Sequence, residues 1–153
     1  MTFARFIAPL GAAVLMLGLA PAQAVPGLTE RVVSDPATGI ALFGYDPVAY
    51  FTEGEAVQGR RDFEAEWNGA AWRFANAANR AAFLSAPEVY APRFGGYDPI
   101  ALVKGAAAAG HPLLFMVKAE RLYLFRSEAD RAAFADAGAA AAAWPRVSAA
   151  LVK

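Results

Sequence analysis

Three side chains in this sequence have the type and setting to hold a ligand or move a proton: Asp46, Asp98 and His111. The two aspartates stand in a repeated hexapeptide, Gly44-Tyr45-Asp46-Pro47-Val48-Ala49 and Gly96-Tyr97-Asp98-Pro99-Ile100-Ala101. If a pseudo-twofold brought the carboxylates together, they would bind a hard cation or share a proton. The Asp-Pro pair also has the chemistry of a helix start, and that reading needs no ligand. A carboxylate accepts free backbone N–H groups, and proline at the first helical position loses no hydrogen bond. As a cap alone, either aspartate is worth about 1 kcal/mol. His111, the only histidine, sits between Gly110 and Pro112. It would complete a metal site with the aspartates, serve as a general base, or simply fill a turn. The ligand-binding candidates are therefore Tyr45, Asp46, Tyr97, Asp98 and His111, and the metal candidates Asp46, Asp98 and His111. The aromatics Tyr45, Tyr50, Trp67, Trp72, Tyr90 and Tyr97 would suit an apolar cleft with polar tips. Their alternation and repeated placing suit core packing first.

Other chemistries are excluded by composition. The 153 residues include no Cys, so disulfides, thiolate metal sites and cysteine nucleophiles are absent. Lys+Arg and Asp+Glu both number 14, which leaves no basic footprint for nucleic acid. No serine lies in a Gly-x-Ser-x-Gly setting, and no phosphate-binding glycine loop occurs. What remains is a soft-ligand-poor set, suited at most to weakly held divalent ions, and no cofactor is expected.

The positioning elements are legible because the chain repeats itself. The hexapeptides lie 52 residues apart, while Phe74 to Phe83 recurs as Phe125 to Phe134 at a spacing of 51. Ala91-Pro92-Arg93-Phe94 also echoes Trp144-Pro145-Arg146-Val147. A period near 50 with signals in the same order points to two copies of one supersecondary unit. Each unit reads as a short helical turn, a hairpin and a helix. In the first, Phe63, Ala65 and Trp67 alternate with acidic residues, Asn68-Gly69 turns the chain, and Ala70, Trp72 and Phe74 resume the apolar face. This register sets Trp67 against Ala70, Ala65 against Trp72, Glu64 against Arg73 and Phe63 against Phe74. The second hairpin, Leu113 to Val117 and Leu122 to Phe125, is apolar on both faces and reads as a centrally buried pair. Asn76 and Ser127 cap the helices that follow. The run from Gly138 to Ala143 is alanine-rich and reads as a helical continuation, with a low-complexity tail as the alternative.

Ahead of the repeat, residues 1–24 read as a secretory signal. Arg5 is its only charge, Phe6 to Leu19 is apolar, and Ala22-Gln23-Ala24 is a small-x-small cleavage site. The run falls short of the roughly 20 residues a membrane span needs. The mature chain is expected to begin at Val25, to carry no transmembrane segment and to reach the periplasm or beyond.

The order Gly44-Tyr45-Asp46-Pro47-Val48-Ala49-Tyr50-Phe51, then Glu66-Trp67-Asn68-Gly69-Ala70-Ala71-Trp72-Arg73-Phe74, Asn79 to Leu84 and Pro87 to Pro92, resembles the YHS-domain family, most closely its small exported bacterial members. The resemblance implies a hairpin-plus-helix unit, which in metal-handling relatives carries cysteines at the strand–helix junction. Here that junction, Phe74 to Asn79, has no thiol, and Asp98 stands where exported relatives often have a cysteine. The family's soft-metal chemistry is therefore not carried over.

Together these features predict an α+β fold of two tandem units sharing one core. Its parts are a signal peptide (1–24), a leader (25–43), a first YHS-like unit (44–95) and a second, degenerate one (96–153). The expected role is non-enzymatic: an exported envelope module that binds a small ligand or metal. The alternatives are docking of an envelope protein and, last, a cryptic enzyme using His111.

Overall fold

The computed structural model describes residues 32–151; the signal segment, its cleavage site and the first part of the leader lie outside the described residues. The fold is α+β. Its strands form two antiparallel hairpins, β1 (Arg60–Trp67) with β2 (Ala70–Phe74), and β3 (His111–Lys118) with β4 (Arg121–Phe125). Short helices α1 (Ala49–Thr52) and α4 (Pro99–Val103) precede the hairpins. Helices α2 (Ala77–Ser85) and α3 (Pro87–Tyr90) follow the first, and α5 (Glu128–Ala133) and α6 (Gly138–Ala150) follow the second. Among the described residues no helix is long and apolar enough to cross a membrane.

Local chemistry explains these boundaries. Asn76 Oδ1 accepts the Asn79 N–H at 2.8 Å to start α2, and Ser127 Oγ accepts the Asp130 N–H at 3.1 Å to start α5. Asn68 and Gly69 both take positive φ, 51° and 78°, the two-residue connection that matches strand twist. Ala119 and Glu120 make the equivalent turn at 49° and 54°, without a glycine to relieve the left-handed backbone.

The first hairpin keeps the expected register near its turn: Trp67 pairs with Ala70, Ala65 with Trp72, and Glu64 with Arg73. Arg73 Nε donates to Glu64 Oε1 at 2.6 Å. Phe63, however, does not face Phe74. The ladder slips between Arg60 and Glu64, so Phe74 pairs with Arg60. A slip at the same place separates His111 from Phe115 in the second hairpin. The cause lies at the glycine before each strand. A Cβ on Gly59 would sit 2.6 Å from the Arg73 carbonyl carbon, and one on Gly110 would sit 2.5 Å from Leu124 Cβ. Backbones meet at these two points, and the strand bulges beyond them to regain its face.

The expectation of a centrally buried second hairpin holds for only one strand. β4 is buried from Leu122 to Phe125, but Leu113 and Val117 of β3 are exposed. Among the described residues each sheet has two strands, so β3 pairs with a strand on one side only. The single shared core is likewise two clusters. Leu122 and Leu124 face the first, with Trp72, Phe74, Phe83, Leu42 and Tyr50. Tyr123 and Phe125 face the second, with Phe94, Tyr97, Leu102, Phe134 and Val147. The two-residue period of β4 makes it the wall between them. On α6, Ala140, Val147 and Leu151 are buried at helical spacing, and the half-buried Trp144 lies on the same face.

Two turns join the halves, and only their glycines had been visible as a motif. Leu42, Phe43 and Gly44 take φ of 52°, 55° and 82°, while Phe94, Gly95 and Gly96 take 56°, 63° and 88°. Val33 bridges the two turns: its N–H donates to the Gly95 carbonyl at 2.7 Å, and its carbonyl accepts the Leu42 N–H at 2.9 Å. The likeness of residues 91–94 to 144–147 does not extend to structure. The former enters one of these turns, whereas the latter lies within α6.

Candidate functional site

Asp46 is fully buried and its carboxylate is saturated. Oδ1 accepts the Val48 N–H at 2.8 Å and the Ala49 N–H at 3.4 Å, and Oδ2 accepts the Ala75 N–H and the Asn79 Nδ2–H, each at 2.7 Å. A carboxylate has about four lone-pair positions, and these donors take them. Asp98 is also fully buried: Oδ1 accepts from Ile100 at 2.7 Å and Ala101 at 3.4 Å, and Oδ2 from the Arg126 N–H at 2.8 Å. Asp130, placed in sequence like Asn79, has no amide to give, and its own Oδ2 accepts the Ser127 hydroxyl at 2.8 Å. Asp98 thus caps α4, whereas Asp46 closes the turn that leads into α1, whose N-cap position is Val48; both also tie their helix to the distant strand–helix junction.

The remaining candidates are dispersed. His111 is exposed at the start of β3, where its Nδ1 accepts the Leu113 N–H at 3.2 Å. Tyr45 is half-buried against the first cluster, and Tyr97 is buried in the second. Among the described residues no three His, Cys, Asp or Glu side chains form a group able to hold a metal. Asp46, Asp98 and His111 are therefore not gathered at one mouth.

Tyr50 is buried and its hydroxyl donates to the Pro112 carbonyl at 3.1 Å. Burial pushes the phenol well above its ordinary value of 10.0, with Tyr45 and Asp46 adding to the effect. The folded state therefore keeps this proton after the unfolded chain has released it. The resulting stabilisation is intact below pH 10 and is lost as pH rises beyond it. Tyr50→Phe should flatten the fall in stability above pH 10, as read from urea midpoints, while lowering stability at pH 7 by about 1 kcal/mol for the lost hydrogen bond.

A concave feature among the described residues lies elsewhere, between the first hairpin and α6. Two adjoining cavities of about 250 Å³ and 240 Å³ share Trp67, Ala91, Pro92 and Trp144 as walls. Trp72, Asn68, Gly95 and Val32 complete the larger, and Glu88, Arg93 and Phe94 the smaller. The chain contains three tryptophans, and all three line the larger cavity. Stacked neighbours hold their rings. Trp67 packs edge-on to Trp72 and Phe83 at 5.8 Å and 5.7 Å, and Trp144 lies 5.9 Å from Phe94 and 6.0 Å from Tyr97. The Trp72 indole N–H is committed to the Trp67 carbonyl at 3.0 Å. The indole N–H groups of Trp67 and Trp144 have no acceptor among the described residues, and neither is sealed from solvent.

Of the aromatics singled out by sequence, Trp67 and Trp72 line this groove. Trp144 was missed, although a lone large aromatic in an alanine-rich helix was the available signal. No family model, no curated protein and no solved structure matches the chain.

Proposed function

We propose that this chain is a non-enzymatic, exported binding module of the bacterial envelope, and that it takes its ligand in the groove between Trp67 and Trp144. The observation that carries this reading is the convergence of all three tryptophans on one open groove, two of whose indole N–H groups have no acceptor among the described residues. Apolar walls with a few polar tips are the usual make-up of a small-ligand site. The buried carboxylates of Asp46 and Asp98 argue the same way, since Asp46 is saturated and the three hydrogen bonds of Asp98 all go to the fold. Export is supported by the signal-like first 24 residues, and the YHS-like motifs support a binding rather than a catalytic unit. Two copies of one unit are supported by the matched slips at Arg60/Glu64 and His111/Phe115 and by the paired left-handed turns.

A second reading, docking of a partner protein, is favoured by one observation: Leu113 is 53% exposed on β3, a strand that pairs on one side only among the described residues. Titration with neutral probes (indole, cyclohexanol and maltose), followed through the three indole N–H resonances, separates the two. The groove reading expects a probe to shift the Trp67 and Trp144 signals. Shifts confined to β3 amides, or to the surroundings of His111, would overturn it.

A further inference from the structure

We propose that the groove receives a proline-rich segment of a partner protein, lying in the polyproline-II conformation across Trp67 and Trp144. This rests on the binding-module reading above and adds the class of ligand.

Shape is the first argument. The two cavities share four wall residues, so they are stations along one groove rather than separate pockets. Each is smaller than the roughly 300–1,000 Å³ typical of compact-ligand sites. An elongated ligand fills both. Polyproline II advances about 3.1 Å per residue without internal hydrogen bonds, so successive residues can enter successive stations.

The polar complement of the larger cavity is the second argument, and among its side chains donors predominate. The free indole N–H groups of Trp67 and Trp144 can only donate. Asn68 carries the one side-chain acceptor in the larger cavity, and the Trp67 and Gly95 carbonyls already accept the Trp72 indole and the Val33 N–H. A matching ligand therefore offers acceptors and few donors. Proline residues have no backbone N–H, and in polyproline II their carbonyls are unpaired. A saccharide presents hydroxyls that must also donate, and in the larger cavity Asn68 is the one side chain able to accept them.

Charge is the third argument. The larger cavity has no ionisable side chain, and Glu88 and Arg93 bring opposite signs to the smaller one. An uncharged segment enters without the desolvation of an unpaired ion. Its pre-extended backbone also loses little conformational entropy on docking against aromatic faces.

The test is a fluorescence titration of the purified chain with an end-capped decaproline peptide, and with maltose in parallel. Because every tryptophan lines the groove, intrinsic emission reports on it directly. Decaproline should give a saturable change. Its affinity should fall about tenfold or more with Trp144→Ala, which removes the wall, and measurably with Trp144→Phe, which keeps a ring but removes the donor. Leu113→Ser on β3 should leave it unchanged. Decaproline affinity undiminished in both Trp144 variants would overturn the site. Saturation by maltose where decaproline gives none would overturn the ligand class while leaving the groove reading intact. If decaproline fails and the indole resonances respond to none of the neutral probes, both readings fall.

Discussion

Phe83→Ala should lower the unfolding free energy by about 3–5 kcal/mol, among the largest single losses available to this chain. Phe83 is fully buried on α2, with ring neighbours Trp72 at 5.0 Å, Phe74 at 5.1 Å and Trp67 at 5.7 Å. These rings belong to a hairpin fixed by its own ladder, so they cannot collapse into the space a benzyl group leaves. The cost is then the lost transfer energy plus an unfilled cavity. Phe134→Ala, at the residue that ends α5, should fall toward the lower end of the same range. It is slightly open to solvent, and Lys118, whose ammonium lies 5.8 Å from its ring centre, can swing over the gap. Urea denaturation measures both, with the slope unchanged if only the native state is affected. A loss below about 1 kcal/mol for Phe83→Ala would mean that α2 is not the lid of the first core. Phe83→Leu should recover most of the stability, since it restores much of the volume.

Where local chemistry decides structure, the sequence was readable. Asn68-Gly69, the caps Asn76 and Ser127 and the alanine-rich start of α6 each act within a few residues, and each stands where its residue types place it. The failures share a different cause. Phe63 missed Phe74 because Gly59 and Gly110 draw distant backbone into contact, and the resulting bulge depends on a surface that periodicity does not describe. β3 was expected to be buried because its residues are apolar on both faces. Composition shows that a strand tolerates burial, whereas a neighbouring strand or helix must supply it. The left-handed run at Leu42 and Phe43 was equally hidden, since neither residue type favours positive φ.

The same division applies to the site. Asp46 and Asp98 stood out because they repeat, and repetition in one chain marks a structural need as readily as a chemical one. The groove is assembled from β1, the segment after α3, and α6, elements far apart in sequence with no common motif. Trp144 acquires its meaning only when α6 packs across the second core and sets its indole opposite Trp67.

Asp46→Ala separates the structural from the ligand-holding role, and the expected result is a loss of about 3–5 kcal/mol with no loss of groove binding. A cap alone is worth about 1 kcal/mol. The geometry raises that figure, because Asp46 Oδ2 also accepts the Ala75 N–H and the Asn79 amide across a separation of 29 and 33 residues. Truncation strands the buried Asn79 amide and the part-buried Ala75 N–H, and hydrogen bonds to a charged group are worth about 1.5–3 kcal/mol each, though not additively. Asp98→Ala removes fewer bonds, without an amide partner like that of Asn79, and should cost less, about 2–4 kcal/mol. Asp46→Asn should rescue little. Its Nδ2 would replace Oδ2 and point a donor at two donors, and flipping the amide moves the conflict to Val48 and Ala49. Asn79→Ala should cost only about 1–2 kcal/mol, because the Ala75 and helix-start bonds survive. Stability comes from urea midpoints, and binding from decaproline titration under conditions where each variant remains folded. Unchanged stability together with lost binding in Asp46→Ala would return the carboxylate to the role of a ligand and reverse the assignment made from its four hydrogen bonds.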